Sequence, residues 1–509
     1  MGAPALGRES KTKESLGVGH RAWLLLATAG ALLLVANGRN TIPLAAWLAP
    51  VFLLRFTRGG RAWARLLTTF SVLFATWLFQ FRGMVPAPRP IVIAVAVAFS
   101  LALLVPYAID RALSPRLRAG WATLVFPAAW AGTEYLVSIV SPYGSWGAVA
   151  YSQFGELPLM QLASVTGPSG ITFLMGWFAS TMNLAWARDW IWRDVRKPAA
   201  ALAVTFAAVL ISGGVRLAFF PPDSATVKVV SLSRGNFPTA PTEDLERSLF
   251  RNLPLTDAEV DLIRNSTHLG TDDLLARTER AADAGAKIVF WSETAGDVFK
   301  EEEAALIARA QGLASRKQIY LGLGLGTYQR GAAKPLENKI VLIAPNGQIA
   351  YEYWKARPVP GSEKNISSQL DGKIKTALTP YGRVASAICF DLDFPQLLAQ
   401  AGKMNTDILL APSNDWLAID PWHTQMAAFR AVEQGFNLVR QVRTGLSIAV
   451  DYQGRVLAQM DDFVSPDREM TAYVPTRGVR TIYSRIGDAF AWACLLGLAI
   501  LPLATRRRS

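Results

Sequence analysis

Val384-Ala385-Ser386-Ala387-Ile388-Cys389, running into Phe390-Asp391-Leu392-Asp393-Phe394-Pro395, is an apolar strand candidate that delivers a thiol to the start of a turn. A nucleophile at a strand end is rigidly held, but a free thiol is mostly protonated at neutral pH and needs a base or a cation beside it. Two other short segments supply such groups. Phe290-Trp291-Ser292-Glu293 brings a carboxylate to the end of the strand candidate Lys287–Trp291, and Glu352-Tyr353-Trp354-Lys355 brings an ammonium. Singly, each has an ordinary explanation: Cys389 as a small buried hydrophobe, Glu293 as a solvated strand end, Lys355 as a surface lysine. Jointly they place a carboxylate, an ammonium and a thiol in one domain. Glu293 is then the candidate base if desolvation raises its affinity for a proton. Lys355 is the candidate for holding a thiolate and then an oxyanion, with the backbone N–H of Phe390 as a second oxyanion donor.

Working outward, the segment from about 223 to 480 is charged and broken into short apolar runs. Strand candidates fall at Val227–Leu232, Lys287–Trp291, Ile319–Leu325, Lys339–Ala344, Val384–Cys389, Asp407–Ala411, Leu438–Val442, Leu446–Val450 and Thr471–Val474. Helical patterns fall at about 299–316, 393–403 and 420–435. This alternation predicts a layered α/β domain. Asn346-Gly347 predicts a hairpin turn, and Tyr452-Gln453-Gly454 a second turn. Gly322-Leu323-Gly324-Leu325-Gly326 lacks dinucleotide-binding spacing and predicts close strand packing instead. Lys355–Lys375 has no periodicity and reads as a loop over the site.

The remainder is different. Of 509 residues 51% are hydrophobic and only 18% charged, which is too apolar for an average soluble chain. Seven candidate spans lie at about 21–38, 41–56, 65–81, 91–109, 119–140, 160–187 and 198–220, and an eighth at about 487–504. No cleavage motif follows the first span, which reads as a retained anchor. With the N-terminus inside, the inside segments carry Arg8, Lys11, Lys13 and Arg21, then Arg55, Arg58, Arg61 and Arg65, then Arg111, Arg116 and Arg118, then Arg188, Arg193, Arg196 and Lys197, and finally Arg506, Arg507 and Arg508. The short outside loops carry only Arg39, Arg82 and Arg89. That asymmetry fits the positive-inside rule, absorbs much of the net charge of +13, and removes the reason to invoke nucleic acid. It predicts a helical membrane unit over 1–220, a domain over 223–480 outside the cytoplasm, and a closing span and basic tail over 485–509.

Two cysteines, Cys389 and Cys494, argue against a disulfide framework and exclude a cysteine-cluster zinc site, and three histidines argue against a histidine-rich metal site. Cys389 with His423 is a rival catalytic pairing, but His423 in Pro421-Trp422-His423-Thr424 stands at a helix start, where capping or packing is the ordinary role. Asp391 and Asp393 near a turn read as loop solvation, and no phosphate-cradling pattern is present.

The order Glu293, Lys355, Cys389 resembles the catalytic triad of the nitrilase superfamily, and its combination with membrane spans resembles the apolipoprotein N-acyltransferase family. The resemblance extends over Pro127–Leu136 with Glu134, over Trp146 and Tyr151-Ser152-Gln153, and over Pro158–Leu174. In the second half it covers Gly235-Asn236-Phe237-Pro238, Ser413-Asn414-Asp415-Trp416, Arg430-Ala431-Val432-Glu433 and Asp451–Arg455. It implies a bundle of about eight transmembrane helices plus an α/β nitrilase-like αββα sandwich. It further implies Glu293 as base, Lys355 as oxyanion stabiliser, Cys389 as nucleophile and Glu363 as a supporting carboxylate, with Phe390, Asp391, Trp146 and Asn414 around them. The implied reaction is a two-step transfer: Cys389 takes an acyl group from a membrane phospholipid, then passes it to the α-amino group of a diacylated lipoprotein, with no cofactor or metal. Monomeric action in the lipid bilayer is expected. The chain departs from the family pattern at Ser292, where proline is common, at Gly361-Ser362 before Glu363, at Phe390-Asp391 after Cys389, and in having no tryptophan just after Gly235–Pro238. Two other readings stay open at this stage. One is a membrane-tethered amidase in which water is the second nucleophile. The other is a transporter or scaffold, against which the scarcity of charges within the spans argues, Asp110 and Glu134 being the exceptions.

Overall fold

The computed structural model describes residues 7–235, 245, 248, 251 and 253–504. Asn236, Phe237 and Pro238, and the basic tail Arg506, Arg507 and Arg508, lie outside the described residues.

Among the described residues, thirteen strands build two sheets: β1 (Thr226–Leu232), β2 (Ile288–Trp291), β3 (Gly296–Phe299), β4 (Tyr320–Tyr328), β5 (Leu336–Ile343), β6 (Ile349–Trp354), β7 (Thr376–Thr379), β8 (Gly382–Ser386), β9 (Ile408–Asn414), β10 (Asn437–Arg443), β11 (Leu446–Val450), β12 (Val456–Asp461) and β13 (Glu469–Pro475). One sheet runs β13-β1-β2-β4-β5-β6 with β3 on β4, and the other runs β12-β11-β10-β9-β8-β7. The centre of each sheet is parallel. Parallel neighbours need crossovers, and helices Asp257–Asp283, Glu303–Lys317, Pro395–Lys403 and Trp422–Gln434 provide them.

The period-2 pattern of the strands sorts side chains to two faces. Ile288, Phe290, Ile340 and Leu342 pack inward against the second sheet, in one core with Val384 and Ile408. Val289, Trp291, Val341 and Ile343 face outward and bury against Leu274, Leu306 and Ala310 of the outer helices Asp257–Asp283 and Glu303–Lys317. Leu398, Met426 and Phe429 cover the far side of the second sheet. The result is four layers, helix, sheet, sheet, helix.

Asn346-Gly347 turns the β5–β6 hairpin, with Gly347 at φ 80°. The glycine run in β4 is close packing, as predicted: a Cβ on Gly324 would lie 2.1 Å from the Ser292 carbonyl oxygen, and one on Gly326 would lie 2.4 Å from Asp297 Oδ1. β4 therefore lies directly beneath the turn that carries Glu293.

Helix Asp257–Asp283 has no counterpart among the predicted helical segments. It opens with a reciprocal cap: Glu259 N–H donates to Thr256 Oγ1 at 3.3 Å, and Thr256 N–H donates to Glu259 Oε2 at 2.7 Å. β3, β6, β7 and β12 are likewise absent from the predicted strands.

Helices Gly7–Leu33, Pro43–Arg58, Ala62–Gln80, Arg89–Leu113, Val125–Val140, Pro168–Ala187 and Trp192–Phe219 precede the sheets, and Ala489–Ala504 comes after them. Among the described residues, four helical stretches are long and apolar enough to cross a bilayer: Ala62–Gln80, Arg89–Arg116, Ala119–Val140 and Trp192–Phe219. The predicted span 160–187 is not one helix. Short helix Leu157–Met160 ends at Gln161, short helix Ala163–Thr166 stops at Gly167, whose φ of 65° suits glycine alone, and Pro168 opens the next helix. A Cβ on Gly167 would also sit 2.6 Å from the Tyr483 ring.

The exceptional carboxylates are tied between helices. Asp110 takes a two-pronged contact from Arg58, both prongs at 2.8 Å. Glu134 accepts from Val149 N–H at 3.0 Å and Thr172 Oγ1 at 2.6 Å. The halves are fastened where the nucleophile turn ends: Ser145 N–H and Oγ both donate to the Asp393 carbonyl at 2.8 Å. Gln161 Nε2 reaches the Gln453 carbonyl at 2.9 Å, and Trp416 Nε1 reaches the Gly83 carbonyl at 2.8 Å.

Candidate active site

β8 stops at Ser386 and not, as the sequence suggests, at Cys389. Cys389 opens a 3₁₀ turn, Cys389–Asp393, with φ 48°. This positive φ in a residue that is neither Gly nor Asn marks a backbone held by its surroundings. Asp391 does much of the holding. Its Oδ2 accepts from Ile388 N–H at 2.9 Å and Tyr353 OH at 2.7 Å, and its Oδ1 accepts from Arg357 N–H at 2.8 Å. The loop-solvation reading of Asp391 is therefore overturned: it is buried and bolts the nucleophile turn to the end of β6. Burial pushes its carboxyl up to about 6 despite these donors. Asp391→Asn would set an amide donor against one of three donors already in place. A loss of about 1–3 kcal/mol is expected, read as a lowered Tm in detergent, and an unchanged Tm would refute this bolt.

Lys355 follows β6 and is buried, contrary to the surface-lysine reading. Its Nζ lies 2.7 Å from Glu293 Oε1 and 2.6 Å from Glu363 Oε2. Asn338 Nδ2 also donates to Glu293 Oε1 at 2.7 Å, and Val359 N–H to Glu363 Oε2 at 3.0 Å. Burial opposes the charge on Lys355, yet the Glu293 and Glu363 carboxylates hold the ammonium well above the ordinary lysine range. Burial pushes Glu363 above the usual carboxylate range against the pull of Lys355. The Cys389 thiol is raised well above its usual range, first by burial and then by Glu293, while Lys355 draws it down. The resting thiol is therefore protonated, and its activation requires a proton acceptor as it reacts.

A second charged cluster backs the thiol. Cys389 Sγ is 3.6 Å from the Asn414 carbonyl and 3.9 Å from Asp415 Oδ1. His423 Nδ1 lies 2.8 Å from Asp415 Oδ1, and its Nε2 pairs with Asp393 Oδ1 at 3.2 Å. Arg440 clamps Asp415 at 2.8 and 3.1 Å. Burial works against the His423 charge, but Asp415 and Asp393 raise it to about 9. The capping role predicted for His423 is corrected: its helix begins after Pro421 with no side-chain cap, and the imidazole sits between two carboxylates. Asp393 likewise is buried, not solvated. Cys389, Asp415 and His423 offer ligand atoms within 4.8 Å of one another. Arg440 already occupies that carboxylate as its cation, so the donor set is neutralised without a metal.

The remaining sequence-derived candidates line or brace the same cavity. Trp146 stands 5.7 Å from the His423 ring and shares the cavity wall with Met84, Val85, Cys389 and Phe390. The Phe390 ring meets Phe394 edge to face at 5.3 Å. Asn414 contributes its carbonyl to Cys389, and its Oδ1 accepts from Thr444 at 3.2 Å. Arg440 escaped the sequence reading, although a charge inside the apolar run Leu438–Val442 is a usable signal, because such a residue is buried only with a partner.

Residues 261–465 match the carbon-nitrogen hydrolase family, and residues 29–181 match the apolipoprotein N-acyltransferase N-terminal domain. An apolipoprotein N-acyltransferase of Geobacter metallireducens is 27% identical, the alignment covering 97% of this chain and 93% of that protein. One of Bradyrhizobium diazoefficiens is 28% identical over 71% of this chain and 69% of that protein. Among solved structures, an amidase from Nesterenkonia sp. superposes with a TM-score of 0.39 at 18% identity, covering 53% of this chain and 96% of that one.

Proposed function

Since the chain belongs to the apolipoprotein N-acyltransferase family of the carbon-nitrogen hydrolase superfamily, we propose that it moves a fatty acyl group from a membrane phospholipid through a thioester on Cys389 to the α-amino group of a diacylated lipoprotein. The observation that carries this reading is the buried Lys355 ammonium held between Glu293 at 2.7 Å and Glu363 at 2.6 Å, in one domain with the buried Cys389 thiol. Glu293 takes the thiol proton as sulfur attacks the ester carbonyl. Lys355 and the Phe390 N–H stabilise the oxyanion that forms. Collapse breaks the ester C–O bond, and Glu293 returns the proton to the departing lysophospholipid oxygen. In the second half-reaction Glu293 accepts a proton from the attacking amine, the amide bond forms, and the thiol leaves reprotonated. Apolar walls such as Met84, Val85 and Trp146 favour an acyl chain over water.

The positive-inside asymmetry supports an orientation with both termini cytoplasmic and the catalytic domain on the periplasmic side of the bacterial inner membrane. In it, 1–220 supplies seven spans, 223–480 the catalytic domain, and 485–509 the eighth span and tail. Acting as a monomer, the chain meets both lipid substrates at the bilayer surface.

The test is intact-mass analysis after incubation with phospholipid and no acceptor. A hydroxylamine-sensitive acyl adduct on Cys389, discharged as an amide by a diacylated lipopeptide, is expected. Release of free fatty acid with no amide product would point to the amidase reading. Glu293→Gln keeps the shape but cannot accept the proton, so adduct formation is expected to slow by about 100-fold or more. Adduct formation at the wild-type rate would remove Glu293 from the role of base.

A further inference from the structure

Where the nucleophile turn ends lies a cleft that the acyl-transfer steps do not use. Its walls include Ser138 and Pro142, where helix Val125–Val140 ends, and Arg357, Lys364 and Gln369 from the loop after Lys355, with Phe394 at the base. Both cations are exposed. Arg357 stacks over the Phe394 ring at 4.9 Å, and among the described residues neither it nor Lys364 is paired with a carboxylate. Their backbones are fixed by the active site: Arg357 N–H donates to Asp391 at 2.8 Å, and Lys364 N–H donates to the Val359 carbonyl at 3.2 Å. Phe394 in turn meets Phe390, the neighbour of Cys389. Two uncompensated cations thus stand on a hydrogen-bonded frame at the end of an apolar helix, linked through Phe394 and Phe390 to the turn that carries Cys389.

We propose that this cleft binds the phosphate of the glycerophospholipid headgroup of the acyl donor, with Arg357 and Lys364 as its ligands. The proposal rests on the acyl-transfer reading above. A phosphodiester supplies the negative charge that two unpaired cations select, and the acyl ester of the same lipid is the group that Cys389 attacks. Arg357 suits a planar, two-pronged grip, and Lys364 adds a point charge. The diacylated lipoprotein acceptor has no phosphate on its lipid, so the cleft would separate donor from acceptor by chemistry.

The test compares acylation of Cys389 by phosphatidylglycerol or phosphatidylethanolamine in mixed micelles with acylation by p-nitrophenyl palmitate, which has no phosphate. Arg357→Gln and Lys364→Gln should each lower the preference for phospholipid, measured as the ratio of the two rates at low donor concentration, by about three- to tenfold, as loss of one charge-assisted contact does. Arg357→Lys should retain most of the preference. Inorganic phosphate should compete only in large excess over the phospholipid. An unchanged ratio, or an equal loss with both donors, overturns the assignment, and so does inhibition by phosphate at matching concentrations, which would mark a soluble-anion site. Wild-type protein that accepts the nitrophenyl ester but never a phospholipid would instead sink the acyl-transfer reading, and the cleft with it.

Discussion

Cys389→Ala should yield a folded membrane protein that forms no acyl adduct and transfers no acyl chain, a loss of about 10³-fold or more. The other cysteine cannot substitute, because Cys494 is packed with Ala128 and Ala131 between helices. The fold should survive for two reasons. The substitution removes one sulfur atom, a cavity worth about 1 kcal/mol. The strained φ of 48° is already borne by a residue with a Cβ, so alanine adds no new backbone penalty. Intact mass and Tm, measured on one preparation, separate chemistry from folding. A hydroxylamine-sensitive adduct on the variant would end the assignment of Cys389 as nucleophile.

The way Cys389 is held also marks where sequence reading runs out. The short apolar runs Lys287–Trp291 and Val384–Cys389 made two of the three strands visible, since strand periodicity is a local property, while β6 before Lys355 went unread. The turns beyond those strand ends are set by distant partners instead. The turn at Cys389 depends on Asp391 reaching Ile388, Tyr353 and Arg357, and two of these are more than 30 residues away. The Asp393–His423–Asp415–Arg440 cluster is assembled from four separate elements, so Asp393 looked like a loop acid, His423 like a capping or packing residue, and Arg440 drew no reading at all. Helix Asp257–Asp283 was legible in principle from Thr256 and Glu259, but its polar character weakened the apolar stripe on which detection relies. The break at Gly167-Pro168 was hidden for the opposite reason: both flanks are apolar, and hydropathy reads straight through a helix break. The edge strands β7 and β12 are partly exposed, and little in their composition separates them from loops.

Lys355→Met is expected to cost stability as well as activity. Methionine matches the length of the lysine stem, so packing is kept and only the charge leaves. The residues left behind are Glu293, 3% exposed, and Glu363, 21% exposed on its side chain, with the cation that lay 2.7 and 2.6 Å from them removed. Breaking one partner out of a buried ion cluster costs about 3–5 kcal/mol, because the Glu293 charge is shut away from water and the Glu363 charge reaches it only in part. The sign of the pH dependence is set by Glu363, whose carboxyl is pushed upward even with the ammonium present. Without it the folded-state affinity for a proton rises further. A raised carboxyl holds its proton in the folded state at pH values where the unfolded chain has released it. Stability is therefore greatest below the ordinary glutamate range and falls as pH climbs toward the raised value. The variant should thus have its largest Tm deficit relative to wild type near pH 8 and a smaller one near pH 5. Adding Glu363→Gln to Lys355→Met leaves one carboxylate, still hydrogen-bonded to Asn338 at 2.7 Å, and should recover part of the lost Tm without restoring adduct formation. If the single variant melted like wild type at both pH values, the Glu293–Lys355–Glu363 cluster would not be a coupled buried charge system, and its proposed hold on the thiolate and oxyanion would lose its physical basis.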